Sequence, residues 1–172
     1  MSGAEKVMLG LLADIHKATV KSGEIDADFV HKALFNNAEW AFSWELSGMV
    51  SDEDFPTPDY VYETASILSA WRHIEASYKH LDDADKATVR DAIGSEPEFQ
   101  GFDGNNETEH FSAALVMIQD LKRFDEFAGR SCNSHSPSLH RHRQVVERTK
   151  EKQDLRQGEL LDKDDLIDIL KR

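Results

Sequence analysis

The sequence predicts an all-α fold, a compact single-domain bundle of about six to seven helices over residues 1–172. Three observations carry that expectation. Long apolar patterns recur at intervals of three and four residues, which puts side chains on one face of a helix. Breaks between them coincide with Ser, Thr or Asp caps, with Gly stops, or with Pro. No run alternates apolar and polar as a half-buried strand would, and no internal repeat is visible.

Ser2-Gly3-Ala4-Glu5 has capping-box spacing, and Met8, Leu11, Leu12 and Ile15 follow at helical period before Gly23, so a helix is expected over Gly3 to Lys21. Asp26 caps a second helix that carries Phe29, Ala33, Trp40 and Trp44 on one broad apolar face as far as Gly48. Asn36 and Asn37, poor helix formers, mark an irregularity in its middle.

The acidic loop Ser51 to Pro56 leads to Thr57-Pro58, a cap with proline at the first helical position. Tyr60, Thr64, Ile67, Trp71, Ile74, Tyr78 and Leu81 then step by four and three, the spacing of a knobs-into-holes seam. This stripe reads as packing, because apolar periodicity by itself specifies no cofactor contact. A shorter helix over Asp83 to Ile93 stops at Gly94, with Pro97 beyond.

A long helix is expected from Asn105 or Asn106 through Phe111, Leu115, Ile118 and Leu121 to Phe127, with Gly129 past its end. Ser136-Pro137 opens a polar, basic helix or linker over 139–158, through Leu139, His142, Val145 and Val146. Asp162 caps an amphipathic C-terminal helix within 160–171, bearing Leu166, Ile167, Ile169 and Leu170.

The chain carries 40% apolar and 31% charged residues, with nine Phe and three Trp, enough apolar material to offset chain entropy. A net charge of −13 repels phosphate backbones and anionic lipid, so membranes and nucleic acids are disfavoured as partners. A protein partner or a homo-oligomer is the expected alternative. Cys132 is the single cysteine, which excludes an internal disulfide. Val7 to Leu12 is too short an apolar run, followed too closely by Asp14, His16 and Lys17, to be a signal core or a membrane span. A cytoplasmic protein is expected.

Residues of catalytic and binding types crowd into two non-periodic segments, Gln100 to His110 and Asn133 to Pro137. The candidate polar site drawn from them comprises Asp103, Asn105, Asn106, Glu107, His110, Asn133 and His135. Open amides where a helix starts after Gly104 would suit an anion, yet Asp103 and Asn106 are the types that satisfy such a turn themselves, with Phe99 and Phe102 anchoring it. Asp103, Asn105 and Glu107 mimic the start of a calcium loop, but Thr108 and Ala114 occupy its sixth and twelfth positions, where Gly and a carboxylate are needed. Glu107-x-x-His110 has di-iron spacing and no second copy, so no metal or cofactor is expected.

His135, flanked by hydroxyls, could act as a general base, but no nucleophile accompanies it and Cys132 lies in no reactive motif. No catalytic residue is assigned. His140 to Arg143 with Arg148, Lys150, Lys152 and Arg156 form a basic patch, read as a solvated face complementing Asp52 to Asp54. The two polar loops are expected to meet, Asp103 or Asn105 bonding directly to Asn133 to Ser136, since both are costly to bury unpaired. That contact is demanding: a straight helix to Phe127 separates the loops by about 30 Å at 1.5 Å per residue. Capping of separate helices at opposite ends of the bundle is the competing arrangement.

GFDGNNE at 101–107, followed at this distance by Asn133-Ser134-His135-Ser136-Pro137, resembles the YfbU family of uncharacterised bacterial proteins. The resemblance runs over most of the chain, including the Tyr60 to Leu81 helix and the Leu160 to Leu170 ending. It implies a compact, all-α, cytoplasmic and oligomeric protein without established activity, hence no catalytic residues to carry over. The chain departs from the family pattern over Leu139 to Gln157, where Arg, His, Lys and Glu stand in place of a more apolar helix. Three functional readings follow: a non-enzymatic interaction or regulatory module; a small-ligand binder or hydrolase in which Asp103, Glu107, His110 and His135 converge; and, against the overall charge, a nucleic-acid factor acting through the basic patch.

Overall fold

The Ser2 hydroxyl accepts the Glu5 amide at 3.3 Å and the Glu5 carboxylate accepts the Ser2 amide at 2.7 Å, the reciprocal pair that starts α1 (Gly3–Thr19). A computed structural model describes residues 1–171. Asp26 caps α2 (Ala27–Phe35) through the Asp28 amide. The expected second helix then breaks at the Asn36-Asn37 pair, where Asn37 takes a φ of +50°. A new helix, α3 (Trp40–Glu45), starts beyond it and buries Trp40, Ala41 and Phe42. The break raises the α-helix count to eight, and among the described residues the only strand-like contacts are isolated bridges at Ser47–Val50 and Phe102–Asn133.

Pro58 is the last extended residue before α4 (Asp59–His80), so Thr57 does not cap it. The Thr57 hydroxyl instead accepts the Trp44 indole N–H at 2.9 Å and donates to Asp52. The expected α4 seam is buried at Thr64, Ile67, Trp71, Ile74 and Tyr78, and Val61, Leu68, Ala70 and Ser77 widen it. The wider arc follows from three neighbours, since α4 packs against α6 (Thr108–Leu115), α7 (Leu139–Leu155) and α8 (Lys163–Leu170). Between α4 and α6 lies α5 (Asp83–Ile93), capped by Asp82 and packed on α8.

The long helix expected to reach Phe127 does not form. After Leu115 the chain winds into a wide π turn over Val116–Asp120, Lys122 takes a φ of +50°, and a 3-10 turn at Asp125–Phe127 follows. Apolar positions here recur every three residues, at Ile118, Leu121, Phe124 and Phe127, all buried. A helix of 3.6 residues per turn would carry such a series off a single face. Arg72 of α4 clasps the reversal, donating to the Arg123 carbonyl at 2.6 Å and pairing with Glu126.

α1 stands apart in its packing. It lies against α2 through Leu9, Gly10 and Ala13, while Val7, Met8, Leu11, Leu12 and Ile15 remain exposed. Among the described residues no helix is long and apolar enough to cross a membrane. Trp71, 4% exposed at the centre of α4, should be the costliest position to truncate. Trp71→Ala is expected to lose about 3 to 5 kcal/mol in equilibrium urea unfolding, the usual cost of removing a buried large aromatic.

Candidate functional site

Gly101 brings the two polar loops together. Its φ is +85°, and a Cβ there would lie 2.0 Å from the Cys132 carbonyl oxygen, so glycine alone fits. Phe102 N–H donates to that carbonyl at 2.8 Å, and Ser134 N–H donates to the Phe102 carbonyl at 3.0 Å. Phe102 is fully buried, its ring 5.6 Å from Phe99 and 5.1 Å from His142. The loops therefore meet, and the arrangement at opposite ends of the bundle is excluded. The chain could double back because the preceding helix stops early.

The direct contact is not the expected one. Asp103, 2% exposed, accepts the Asn106 side-chain amide at 2.6 Å and the Asn105 backbone amide at 2.9 Å, and those bonds hold its carboxyl below the ordinary range. Neither Asp103 nor Asn105 carries the link across. Asn133 does: its side-chain oxygen accepts the Gly104 amide at 3.2 Å and the His135 amide at 2.9 Å. A Cβ on Gly104 would sit 2.9 Å from the Asn133 amide nitrogen, so this contact too needs a missing side chain. His135 is exposed, with a left-handed φ of +56°.

Glu107 lies just before α6, not within it, and its carboxylate turns away from that helix. One oxygen accepts the Asp103 amide at 2.8 Å and lies 2.8 Å from the Ser138 hydroxyl. The other accepts the Ser138 amide at 2.8 Å and the Leu139 amide at 2.7 Å. Those two are the opening amides of α7, so Glu107 caps that helix from across the fold, and the expected start at Ser136-Pro137 shifts to Ser138. Burial of Glu107 opposes its charge, but the Leu139, Asp103 and Ser138 bonds prevail and its carboxyl lies below the ordinary range.

His110 does not pair with Glu107. Its Nε2 lies 2.8 Å from Glu63 on α4, which Arg143 of α7 grips at 2.6 and 3.0 Å. Arg143 first, then His110, hold the Glu63 carboxyl at about 2 against its partial burial. The functional-looking residue left out of the candidate site is His142, 2% exposed, which the sequence places both in the basic run and on the periodic positions of its helix. Trp71 Nε1–H donates to its Nδ1 at 2.9 Å, which leaves Nε2 as the protonated nitrogen that donates to the Gly101 carbonyl at 2.9 Å. Burial pushes its pKa down. Its place three residues after Leu139 and before Val145, on the inner stripe of α7, was the available signal.

The basic patch pairs elsewhere than expected. Arg148 donates to the carbonyls of Asp168, Ile169 and Lys171, closing the C-terminal end of α8, and Arg141 donates to Leu170. Lys152 pairs with Asp165 and Asp168, and Arg156 with Asp162 and Asp165. Arg141, Arg148, Lys152 and Arg156 thus fasten α7 to α8 and Arg143 fastens it to α4 through Glu63, and none of these pairs is with Asp52 to Asp54.

The loops form a hydrogen-bonded clasp in which both carboxylates are engaged by protein donors, with His135 near enough to Asp103 to favour its charged form. Among the described residues no group of three or more His, Cys, Asp or Glu is arranged to hold a metal ion. Cys132 is buried, which pushes its thiol pKa up and suppresses the thiolate.

A family model, the YfbU domain, matches residues 39–171, the stretch from α3 to α8 that includes both loops. The UPF0304 protein MJECS11 of Methanocaldococcus jannaschii is 29% identical over 171 residues, covering 94% of this chain and 97% of that protein. No solved structure matches.

Glu107→Gln keeps the size of the side chain but turns an amide N–H₂ toward donors, and is expected to cost about 2 to 3 kcal/mol in urea unfolding, the scale of hydrogen bonds to a charged group. The pH dependence should show two steps. His142 is neutral and depressed when folded, so its contribution is complete above about pH 6.5, where the unfolded imidazole is also neutral, and falls as the pH drops below that. Glu63 and Glu107 are depressed carboxyls, so theirs holds down to about pH 4.5 and is lost toward about pH 2. Calorimetric Tm should be flat between about pH 6.5 and 8 and fall in both acid windows. His142→Gln should shrink the upper step without abolishing it, because burial also lowers the pKa of His73.

Proposed function

Since this chain belongs to the YfbU family, we propose that it is a non-enzymatic interaction module whose polar loops hold the fold together and whose partner is a protein. The carrying observation is the Glu107 carboxylate, whose two oxygens are occupied by three backbone amides and the Ser138 hydroxyl. A general acid or base needs a position free to meet a substrate proton, and these acids are already spent on protein donors. The net charge of −13 disfavours a nucleic-acid partner, and within the basic patch Lys152 and Arg156 are paired with the α8 segment and Arg143 with Glu63. A buried single thiol suits a reducing cytoplasm. The surface left for recognition is the apolar outer side of the N-terminal helices.

Native mass spectrometry of the chain purified from its own cells tests the reading. Expected are masses of the polypeptide or of polypeptide complexes, unchanged by His135→Ala or Asn105→Ala. A retained small molecule that disappears with His135→Ala would overturn it in favour of a ligand-binding site in the loops.

A further inference from the structure

We propose that a second copy of this chain covers the outer face of α1, the two α1 helices running antiparallel about a two-fold axis at Leu11. The inference deepens the interaction-module reading and rests on it. Ala4, Met8, Leu11, Ile15 and Ala18 step by four, three, four and three residues, the spacing of a knobs-into-holes seam, and all are exposed. Val7 and Leu12 flank the seam. Within α1 the larger apolar side chains face outward, while the smaller Gly10 and Ala13, with Leu9, face α2.

The seam positions themselves carry no charge. Glu5 is held in the capping box, Lys6 pairs with Glu39 at 2.5 Å and Lys17 with Asp28 at 2.5 Å, while Asp14, exposed at the edge of the face, lies 3.0 Å from His31. A partner would therefore meet an uncharged seam bordered on one side by Asp14, which favours an apolar helix of the same spacing.

The seam itself identifies that helix. Read in either direction from Leu11 it runs through a large residue, Met8 or Ile15, to a small one, Ala4 or Ala18. An antiparallel second copy sets Leu11 opposite itself and Ala4 opposite Ala18, with Met8 about 1.5 Å, one residue's rise, from level with Ile15, in an isologous two-fold contact. Grooves run along both sides of α1, an apolar one lined by Leu12, Ile25 and Phe55 and a mixed one in which Val7, Leu11 and Phe35 stand beside Lys6, Asp14 and His31, and they can take the flanking side chains of the partner. Two α1–α2 hairpins would then form a four-helix bundle.

The area suffices. Val7, Met8, Leu11, Leu12 and Ile15 are between 56% and 64% exposed and Phe35 is 81% exposed. At roughly 100 Å² each, these six present roughly 600 Å² of apolar surface, the upper end for a soluble monomer and most of the about 800 Å² per partner in a specific interface.

Sedimentation velocity of the full chain at micromolar concentrations should give twice the 19.5 kDa chain mass. Leu11→Glu places two charges face to face on the axis and should weaken association by about a hundredfold or more. Circular dichroism should show its helix content unchanged, because position 11 is exposed within one copy. Under mild oxidation Leu11→Cys should cross-link to itself, whereas Ala4→Cys should cross-link only when mixed with Ala18→Cys. A chain that stays monomeric throughout this range, efficient self-linking by Ala4→Cys, or Leu11→Glu remaining dimeric would each overturn the proposal. A different protein recovered on this face from cells, with the isolated chain monomeric, would overturn the second copy yet leave the interaction-module reading standing. A retained loop ligand would do the reverse.

Discussion

The fold depends on one close approach, the Gly101 backbone against the Cys132 carbonyl. At that point two segments thirty-one residues apart in sequence share backbone hydrogen bonds, and the buried Asp103 and the Glu107 carboxylate find donors because the separation is so short. Buried polar groups cost free energy when left unpaired, so the approach must be complete to be stable at all. From it follow the burial of Phe102, the placement of Asn133 over Gly104, and the position of Glu107 beneath the first amides of α7.

α7 shows what such a clasp makes affordable. Its buried stripe is narrow, with His142, Val145 and Thr149 inside and the rest half-buried or exposed, so burial alone holds it weakly. Glu107 fixes its first turn, the Trp71–His142–Gly101 chain fixes its second, and Arg148, Lys152 and Arg156 fasten the remainder to α8. A helix that reads as polar along its length is stable because its charges face opposite charges and open carbonyls, while its one inner imidazole has both nitrogens bonded.

The N-terminal hairpin follows a different logic. The family match begins at residue 39, so α1 and α2 lie outside it, and α1 draws on the rest of the chain mainly through α2. The molecule thus joins a helical body fastened by hydrogen bonds and ion pairs to a helix whose larger apolar side chains lie outside.

Periodicity by itself determined the helical class, the buried stripe of α4 and the capped starts of α1, α2 and α8, because these depend on residues within one or two turns of each other. It also marked the two polar loops and the break at Asn36-Asn37. The end of the helix after α6 was written in the three-residue spacing from Ile118 to Phe127, but a helical reading absorbed it. What tertiary structure alone decided is who answers whom: Glu107 to Leu139 and not to His110, His110 to Glu63, Asn133 to Gly104, Arg148 to the end of α8. A carboxylate or an amide advertises its capacity for hydrogen bonds in the sequence but not its direction, and direction is set only when the backbone reversal at 121–124 brings the distant donors within about 3 Å.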